Sequence, residues 1–344
     1  MCLYCHRISR KKGVEIRVLF IGGTGVISSA CSRLCIEKGY DLYLLNRGRS
    51  QRPVPEGAKT LISDFSDKKD VSAVLGKKDF DVVVNWIAYT QADVQADYKL
   101  FRDRTNQYIF ISSASAYRKP ATILPIKENE PLINPFWKYS NHKIECEKYL
   151  ETMYTQFDFP VTIIRPSHTY DQTKIPLHGG YTALDRMYRG KEIIIHDQGQ
   201  SKWTLTHHLD FAAGFLPVFG NAGTIGEVYH ITSDEVLTWN EICQLLADAA
   251  GVETKIRHIP SKFIHSIDTE WGDGLLGDKA HDMIFDNTKI KKLNPEFKAK
   301  IPFAEGAREI VRWYSGHPDQ CQINLELDRT MDIMIEKYKL TQHD

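Results

Sequence analysis

The chain has 344 residues, 42% of them hydrophobic, enough to bury one large core or two joined ones. Basic and acidic residues balance at 44 each, so the composition shows no sign of the basic face that a nucleic-acid partner requires. No apolar stretch reaches the length of a membrane span, and seven scattered cysteines favour reduced thiols, so we expect a cytoplasmic protein without a membrane partner.

Apolar runs alternate with helical patterns from residue 15 onward. The runs that predict strands are residues 14–23, 40–48, 59–64, 79–88, 107–113, 159–166 and, later, 226–232. Helical patterns separate them at residues 25–39, 67–76, 91–103 and 135–150. Near-continuous Val, Ile and Leu runs between helices are typical of a parallel sheet covered on both faces. The predicted fold class is α/β, a Rossmann-type doubly wound parallel sheet with a smaller, interleaved C-terminal domain.

The second half has a looser pattern, with a helix at 181–190, a strand at 192–196, a helix from Asp210 and a helix capped by Thr238. We expect the following domain limits: a basic disordered tail at 1–14, a dinucleotide-binding domain at 15–170 with 203–233 returning to it, a substrate-binding domain at 171–202 and 234–315, and a helical extension at 316–344. The crevice between the two domains is the expected site.

Two pairs of cysteines are close enough in sequence to act as ligands. Cys2 and Cys5 precede His6 in the C-x-x-C-H form of haem attachment, but no apolar segment follows to direct export. We therefore interpret this stretch as part of the basic tail. Cys31 and Cys35 share a helical face and are predicted to be small core residues.

The first strand ends in a glycine-rich turn, "IGGTGVIS", that leads into a helix. Backbone N–H groups and a helix N-terminus in that context can hold a pyrophosphate, whereas an ordinary tight turn is the alternative. The sequence predicts a dinucleotide site here. The expected cofactor contacts are Gly22, Gly23, Thr24, Gly25, Val26 and Ile27.

The residues that end the second and third strands bear on the choice of cofactor. An acidic residue after the second strand would bind the ribose 2′-hydroxyl of NAD, but Asn46 and Arg47 stand there. A guanidinium suits the 2′-phosphate of NADP, so NADP is favoured over NAD, with a solvated turn as the alternative for Arg47. Asp64 either accepts from the adenine amino group or caps a helix.

Tyr139 and Lys143 lie four residues apart in a predicted helix for which Asn134 is the expected N-cap and Pro135 the first residue. This spacing places the phenol and the ammonium on one helical face. The pair is either catalytic or an aromatic residue beside a surface lysine. A second pair with this spacing, Tyr170 and Lys174, falls in a predicted loop.

Four motifs, "GGTGVIS", "SSASAY", "YSNHK" and "IIRPSHTY", follow one another in the order typical of the extended short-chain dehydrogenases, the NAD(P)-dependent epimerase/dehydratase family. The chain resembles this family over residues 15–315. The resemblance implies that Ser113, Tyr139 and Lys143 are catalytic. It also implies that Asn85, Trp86, Ile87, Pro166, Ser167 and His168 line the cofactor, and it suggests substrate contacts from Ser115, His168, Trp203 and His207. For His168 and His207, a satisfied structural role is the alternative.

The residue types fit hydride-transfer chemistry. A free tyrosine has a pKa near 10, and a nearby ammonium together with an oxidised nicotinamide would lower the pKa of Tyr139. Such a phenol can move a proton to or from a substrate oxygen while Ser113 holds that oxygen.

One departure from the family pattern concerns the substrate. Trp203 stands where relatives acting on nucleotide sugars carry an arginine for the phosphates, although Lys202 is adjacent. The histidines at 168, 178, 207 and 208 do not have the spacing of a zinc site, and we expect no metal. In a strand, His207 and His208 would point to opposite faces.

Two functions compete on the sequence. The first is an NAD(P)-dependent oxidoreductase or epimerase that acts on a sugar-like or other hydroxylated small molecule. The alternative is a non-catalytic cofactor-binding or RNA-associated regulatory member of the same fold, since some relatives, the chloroplast stem-loop RNA-binding group, are associated with RNA. The family resemblance also suggests a homodimer.

Overall fold

A computed structural model describes residues 16–342, and a seven-stranded parallel sheet forms its centre. The strands of this sheet are β1 (Arg17–Ile21), β2 (Asp41–Asn46), β3 (Lys59–Ile62), β4 (Phe80–Asn85), β5 (Thr105–Ile111), β6 (Val161–Pro166) and β11 (Val228–Ile231). Their order across the sheet is β11-β6-β5-β4-β1-β2-β3, with every neighbouring pair parallel. The order reverses between β1 and β4, which opens a crevice at the carboxyl ends of the strands.

Six further strands pair outside the main sheet. They are β7 (His168–Tyr170), β8 (Glu192–His196), β9 (Lys202–Trp203), β10 (Leu205–His207), β12 (Leu237–Thr238) and β13 (Lys255–Ile259). β10 pairs with β7 and β13 with β8, both in parallel, whereas β12 and β9 are antiparallel.

Twelve α-helices lie in the described residues. They are α1 (Val26–Glu37), α2 (Lys68–Leu75), α3 (Gln91–Phe101), α4 (Lys138–Phe157), α5 (Tyr181–Tyr188), α6 (His208–Phe215), α7 (Trp239–Ala250), α8 (Ser261–Ile267), α9 (Thr269–Gly274), α10 (Thr288–Leu293), α11 (Phe303–Gly316) and α12 (Leu325–Leu340). A π-helical turn, Leu275–Lys279, follows α9. None of the helices within residues 16–342 is long and apolar enough to cross a membrane.

Both faces of the sheet are buried, which explains the continuous apolar runs. Along β1, Val18 and Phe20 pack into one core with Cys31, while Leu19 and Ile21 pack into the core on the opposite face. A third core contains Trp203, Trp239 and Phe303 in the smaller lobe. The predicted fold class is confirmed, and the cysteines of α1 are core residues, as expected.

The predicted start of α4 is wrong. The helix begins at Lys138 and Trp137 is its N-cap, because Asn134 makes other contacts. The Asn134 amide donates to the backbone oxygens of Ser115 (2.8 Å) and Gly277 (2.6 Å). Asn134 therefore ties the segment before α4 to the π-helical turn.

Other local predictions vary in outcome. Thr238 caps α7 with a capping box, as predicted, and Tyr170 ends β7 before a loop. The helix predicted from Asp210 begins two residues earlier, at His208. The C-x-x-C-H stretch lies outside the described residues. The predicted domain limits stay a prediction, although β11 does return to the sheet beside β6.

Candidate active site

A cavity of about 1220 Å³ lies at the carboxyl ends of the central strands, where the strand order reverses. Most of the residues predicted for the site contribute to its walls: Gly22, Gly23, Thr24, Gly25, Val26, Ile27, Asn46, Arg47, Asp64, Trp86, Ile87, Ser113, Ser115, Tyr139, Lys143, Pro166, Ser167, His168 and Trp203. Asn85 and His207 do not line it.

The glycine turn after β1 has the geometry of a pyrophosphate cradle. Gly22 and Gly23 have φ values of +101° and +100°, which side-chain-bearing residues rarely adopt. A Cβ on Gly23 would lie 2.7 Å from Leu44 Cδ2. Gly25 caps α1 without a side chain, and the first turn of α1 carries no acidic residue. These features leave the helix N-terminus open to an anion, so the residues present fit a dinucleotide.

The segment after β2 places arginines in the same cavity. Asn46 accepts a hydrogen bond from the Gly48 backbone N–H (2.9 Å), while Arg47 is exposed. Arg49 also lines the cavity. It was not predicted, because it does not directly follow the end of β2. Arg47, alone or together with Arg49, could therefore bind the adenosine ribose end of a dinucleotide.

Asp64 does not cap a helix. α2 is capped by Asp67, which accepts from the backbone of Lys69 and Asp70 (3.1 Å each). The Asp64 carboxylate instead accepts from the Ser66 backbone (3.0 Å) and hydroxyl (2.8 Å). These hydrogen bonds lower the pKa of Asp64.

The expectation that Asn85 lines the cofactor is wrong. Asn85 is fully buried, and its side-chain oxygen accepts from the backbone N–H groups of Ile87 (2.8 Å) and Ala88 (3.0 Å). Its amide donates to Asp97 (2.5 Å), which also accepts from Tyr108 (2.5 Å). Asn85 therefore shapes the loop whose other residues line the cavity.

Asp97 gives a pH-dependent prediction. Burial raises the pKa of this carboxyl from 3.8 to about 6, against the hydrogen bonds from Tyr108 and Asn85. Between those pH values the unfolded chain has lost the proton and the folded protein has kept it, so the free energy of unfolding falls as pH rises. Because Asp97→Asn removes this titration, we expect its stability relative to the parent to rise by about 2 kcal/mol between pH 4 and pH 7.

Urea unfolding at several pH values measures this difference. Exposed Asp103→Asn is the matched control. Its stability relative to the parent should be nearly the same at each pH. A stability difference for Asp97→Asn that is independent of pH would contradict the assignment.

Ser113, Tyr139 and Lys143 come together at the centre of the cavity. Lys143 is buried, lies 5.8 Å from the centre of the Tyr139 ring, and donates to the backbone oxygens of Ala88 (2.7 Å) and Ile111 (2.8 Å). The Ser113 hydroxyl lies 2.8 Å from that of Ser115. Since an ammonium has three N–H donors, Lys143 keeps one for a further acceptor.

The predicted lowering of the Tyr139 pKa is not found in the protein alone. Burial raises the pKa of Tyr139 to about 12, although a hydrogen bond with Ser113 opposes this rise. Burial also lowers the pKa of Lys143 to about 8. The phenol therefore holds its proton at neutral pH, and formation of a phenolate requires an additional positive charge nearby.

His207 does not line the cavity, and its contacts are those of the structural alternative. Its Nδ1 accepts from the Leu209 backbone at the start of α6 (3.4 Å), and its Nε2 lies 3.0 Å from a Glu309 oxygen. His207 and His208 do not point to opposite faces, since their ring centres are 4.7 Å apart. The reason is that His207 ends β10 and His208 begins α6. Among residues 16–342, no group of His, Cys, Asp and Glu side chains is arranged to hold a metal ion.

The far end of the cavity, beyond Tyr139, contains residues that the sequence did not single out as site residues. Lys174, from the loop after β7, and Asp278 and Lys279, from the π-helical turn, line it with His168 and Trp203. Lys174 and Asp278 are 104 positions apart in the chain, so sequence spacing gave no indication that they share a cavity.

A model of the NAD dependent epimerase/dehydratase family matches residues 18–232, more than half of the chain. The protein therefore belongs to this family, in the extended short-chain dehydrogenase group, as the motifs indicated.

Among its relatives, the chloroplast stem-loop binding protein of 41 kDa b from Arabidopsis thaliana is 27% identical, with 75% of this chain and 72% of that protein covered. The dTDP-D-glucose 4,6-dehydratase of Mus musculus is 22% identical, with coverages of 87% and 88%. A solved UDP-glucose 4-epimerase from Bifidobacterium longum, in complex with NAD+ and UDP, has a TM-score of 0.70 and 17% identity, with coverages of 88% and 99%. This last likeness shows the fold.

Proposed function

We propose that the protein is an NAD(P)-dependent oxidoreductase or epimerase that acts on a sugar-like or other hydroxylated small molecule. The observation that carries the proposal is the meeting of Ser113, Tyr139 and Lys143 in the cavity that the glycine turn opens onto. Its relatives include proteins named as epimerases, dehydratases and a reductase, which supports an enzyme of this general type.

Each residue has a separate task in this proposal. When bound, the nicotinamide accepts or supplies the hydride. Tyr139 donates its proton to a substrate carbonyl oxygen, or takes one from a hydroxyl in the opposite direction. Ser113 holds that oxygen, and Lys143 offers its remaining N–H to a ribose hydroxyl of the cofactor. The raised pKa of Tyr139 keeps the phenol protonated at neutral pH, the form that can donate a proton.

A screen of hydroxylated and carbonyl compounds tests the proposal. The absorbance of reduced nicotinamide follows net oxidation or reduction, and proton NMR of the sugar follows epimerisation. We expect a compound that the parent protein converts to be left unconverted by Ser113→Ala. Conversion at the parental rate by that variant would contradict the role of Ser113.

We propose NADP as the preferred cofactor because of Arg47. Loss of a charge-assisted contact to the 2′-phosphate costs about 1.5–3 kcal/mol, so Arg47→Ala should weaken NADP binding by about 10- to 100-fold and NAD binding only slightly. Titration followed by calorimetry measures both affinities. Arg102→Ala, on an exposed arginine that does not line the cavity, is the control. Equal losses for the two dinucleotides would contradict the assignment.

A non-catalytic, RNA-associated role is the second candidate, favoured by the name of the Arabidopsis relative. The formal net charge of zero gives it little electrostatic support. Salt-dependent binding of a stem-loop RNA, unaffected by Tyr139→Phe, would support this role. We also propose that the protein is a homodimer, which light scattering in solution tests.

A further inference from the structure

The far end of the cavity holds two lysines that lack a carboxylate partner. Among the described residues, neither Lys174 Nζ nor Lys279 Nζ is within hydrogen-bond or ion-pair distance of an acidic side chain. Lys279 lies 5.7 Å from the centre of the Trp137 ring. Asp171 pairs with Arg52, and Asp278 lies 3.6 Å from Lys119, although its Oδ1 has no hydrogen-bond partner among residues 16–342.

These ammonium groups are close enough to affect each other. Burial lowers the pKa of Lys174, and the charge of Lys279 lowers it further. The pKa of His168 is lowered well below its usual value by burial and then by the same two lysines. Like charges in a partly buried pocket are unfavourable unless an anion lies between them.

Two buried ring nitrogens at the same end also lack partners. Trp203 is 2% exposed, and its indole Nε1 has no hydrogen-bond partner among residues 16–342; the same holds for His168 Nε2. Buried polar groups are nearly always hydrogen-bonded, so these two indicate a missing ligand with polar atoms. An indole N–H donates only, which requires an acceptor such as a phosphate or carboxylate oxygen.

Apolar side chains form the wall of the cavity around Trp203. Trp203, Met283 and Phe285 line the cavity, each is at most 7% exposed, and Trp239 packs behind Trp203 with ring centres 5.3 Å apart. The same side chains belong to the core of the smaller lobe. The charged group of a ligand is therefore expected at the lysines rather than at this wall.

We propose that Lys174 and Lys279 bind the negative group of a small anionic substrate, a sugar phosphate or a sugar acid, with Trp203 donating to one of its oxygens. This inference rests on the proposed function and specifies its substrate class. We expect such a small anion to bind more tightly than a nucleotide sugar.

Titration of the protein in the presence of dinucleotide tests the inference. The probes are glucose 6-phosphate, gluconate, inorganic phosphate, neutral glucose and UDP-glucose, followed by tryptophan fluorescence and calorimetry. We expect at least one small anion to bind at least tenfold more tightly than neutral glucose. The compound that binds more tightly, phosphate or carboxylate, identifies the charged group of the natural substrate. Lys174→Met and Lys279→Met should each weaken that binding at least tenfold, with dinucleotide affinity unchanged within twofold.

Lys202→Met is the matched control, because Lys202 is an exposed neighbour of Trp203 that does not line the cavity. Absence of small-anion binding, binding that both cavity variants retain, or tighter binding of UDP-glucose than of every small anion would overturn the inference. If dinucleotide binds normally in such a case, the inference alone has failed. If dinucleotide does not bind, the proposed function has failed.

Discussion

Tyr139→Phe is expected to reduce turnover by about 10²- to 10⁴-fold, the usual contribution of a general acid or base, while dinucleotide affinity stays within a few-fold. The phenylalanine ring keeps the contacts with Trp137 and Tyr89, whose ring centres lie 4.9 and 6.1 Å from that of Tyr139. Only the hydroxyl to which we assign the proton transfer is removed. Steady-state rates with a converted substrate and fluorescence titration with dinucleotide measure the two quantities.

The control for this experiment is Tyr149→Phe, which removes a hydroxyl from the same helix at a position outside the cavity. It should leave both the rate and the affinity unchanged. A rate for Tyr139→Phe within a few-fold of the parental rate would show that the proton comes from another group. Asp278 would then be the next group to test, since it lines the same cavity.

Arg165→Met is expected to destabilise the folded protein by about 3–5 kcal/mol, because it leaves the buried Glu147 carboxylate without its cation. The Arg165 guanidinium binds Glu147 at 2.6 and 3.0 Å, and both side chains are 5% exposed. Ser112, directly before Ser113, donates its hydroxyl to the same carboxylate. The ion pair therefore lies directly beneath the segment that carries a proposed catalytic residue.

Urea unfolding measures the loss, and Arg17→Met is the matched control. Arg17 pairs with Asp41 at 3.2 Å but its side chain is 45% exposed, so its removal should cost at most about 1 kcal/mol. The double variant Arg165→Met with Glu147→Leu should recover part of the lost stability, since no uncompensated charge remains. Equal costs for Arg165→Met and Arg17→Met would contradict this account.

The sheet could be predicted because its strands are buried on both faces, as Val18 and Leu19 show by packing into opposite cores. Parallel strands also end at one edge, so residues placed after them, such as Arg47 and Ser113, could be assigned to one site. The spacing of residues along the chain was sufficient to predict these features.

Tertiary contacts decide the features that were missed. The start of α4 depends on hydrogen bonds from Asn134 to residues as distant as Gly277. The pKa of Tyr139 depends on its burial, which its four-residue spacing from Lys143 does not reveal. Lys174 and Lys279 meet only because the π-helical turn folds back onto the cavity. Sequence reasoning had no local signal for any of these.

Titration of the purified protein with NAD(H) and NADP(H) tests the central claim most directly. The glycine turn, the open N-terminus of α1 and Lys143 should together bind one dinucleotide per chain, with NADP(H) preferred because of Arg47. Saturable binding, lost on Gly23→Val because its side chain would collide with Leu44, is the result that we predict. Absence of binding by either dinucleotide would contradict the account and favour the RNA-associated alternative.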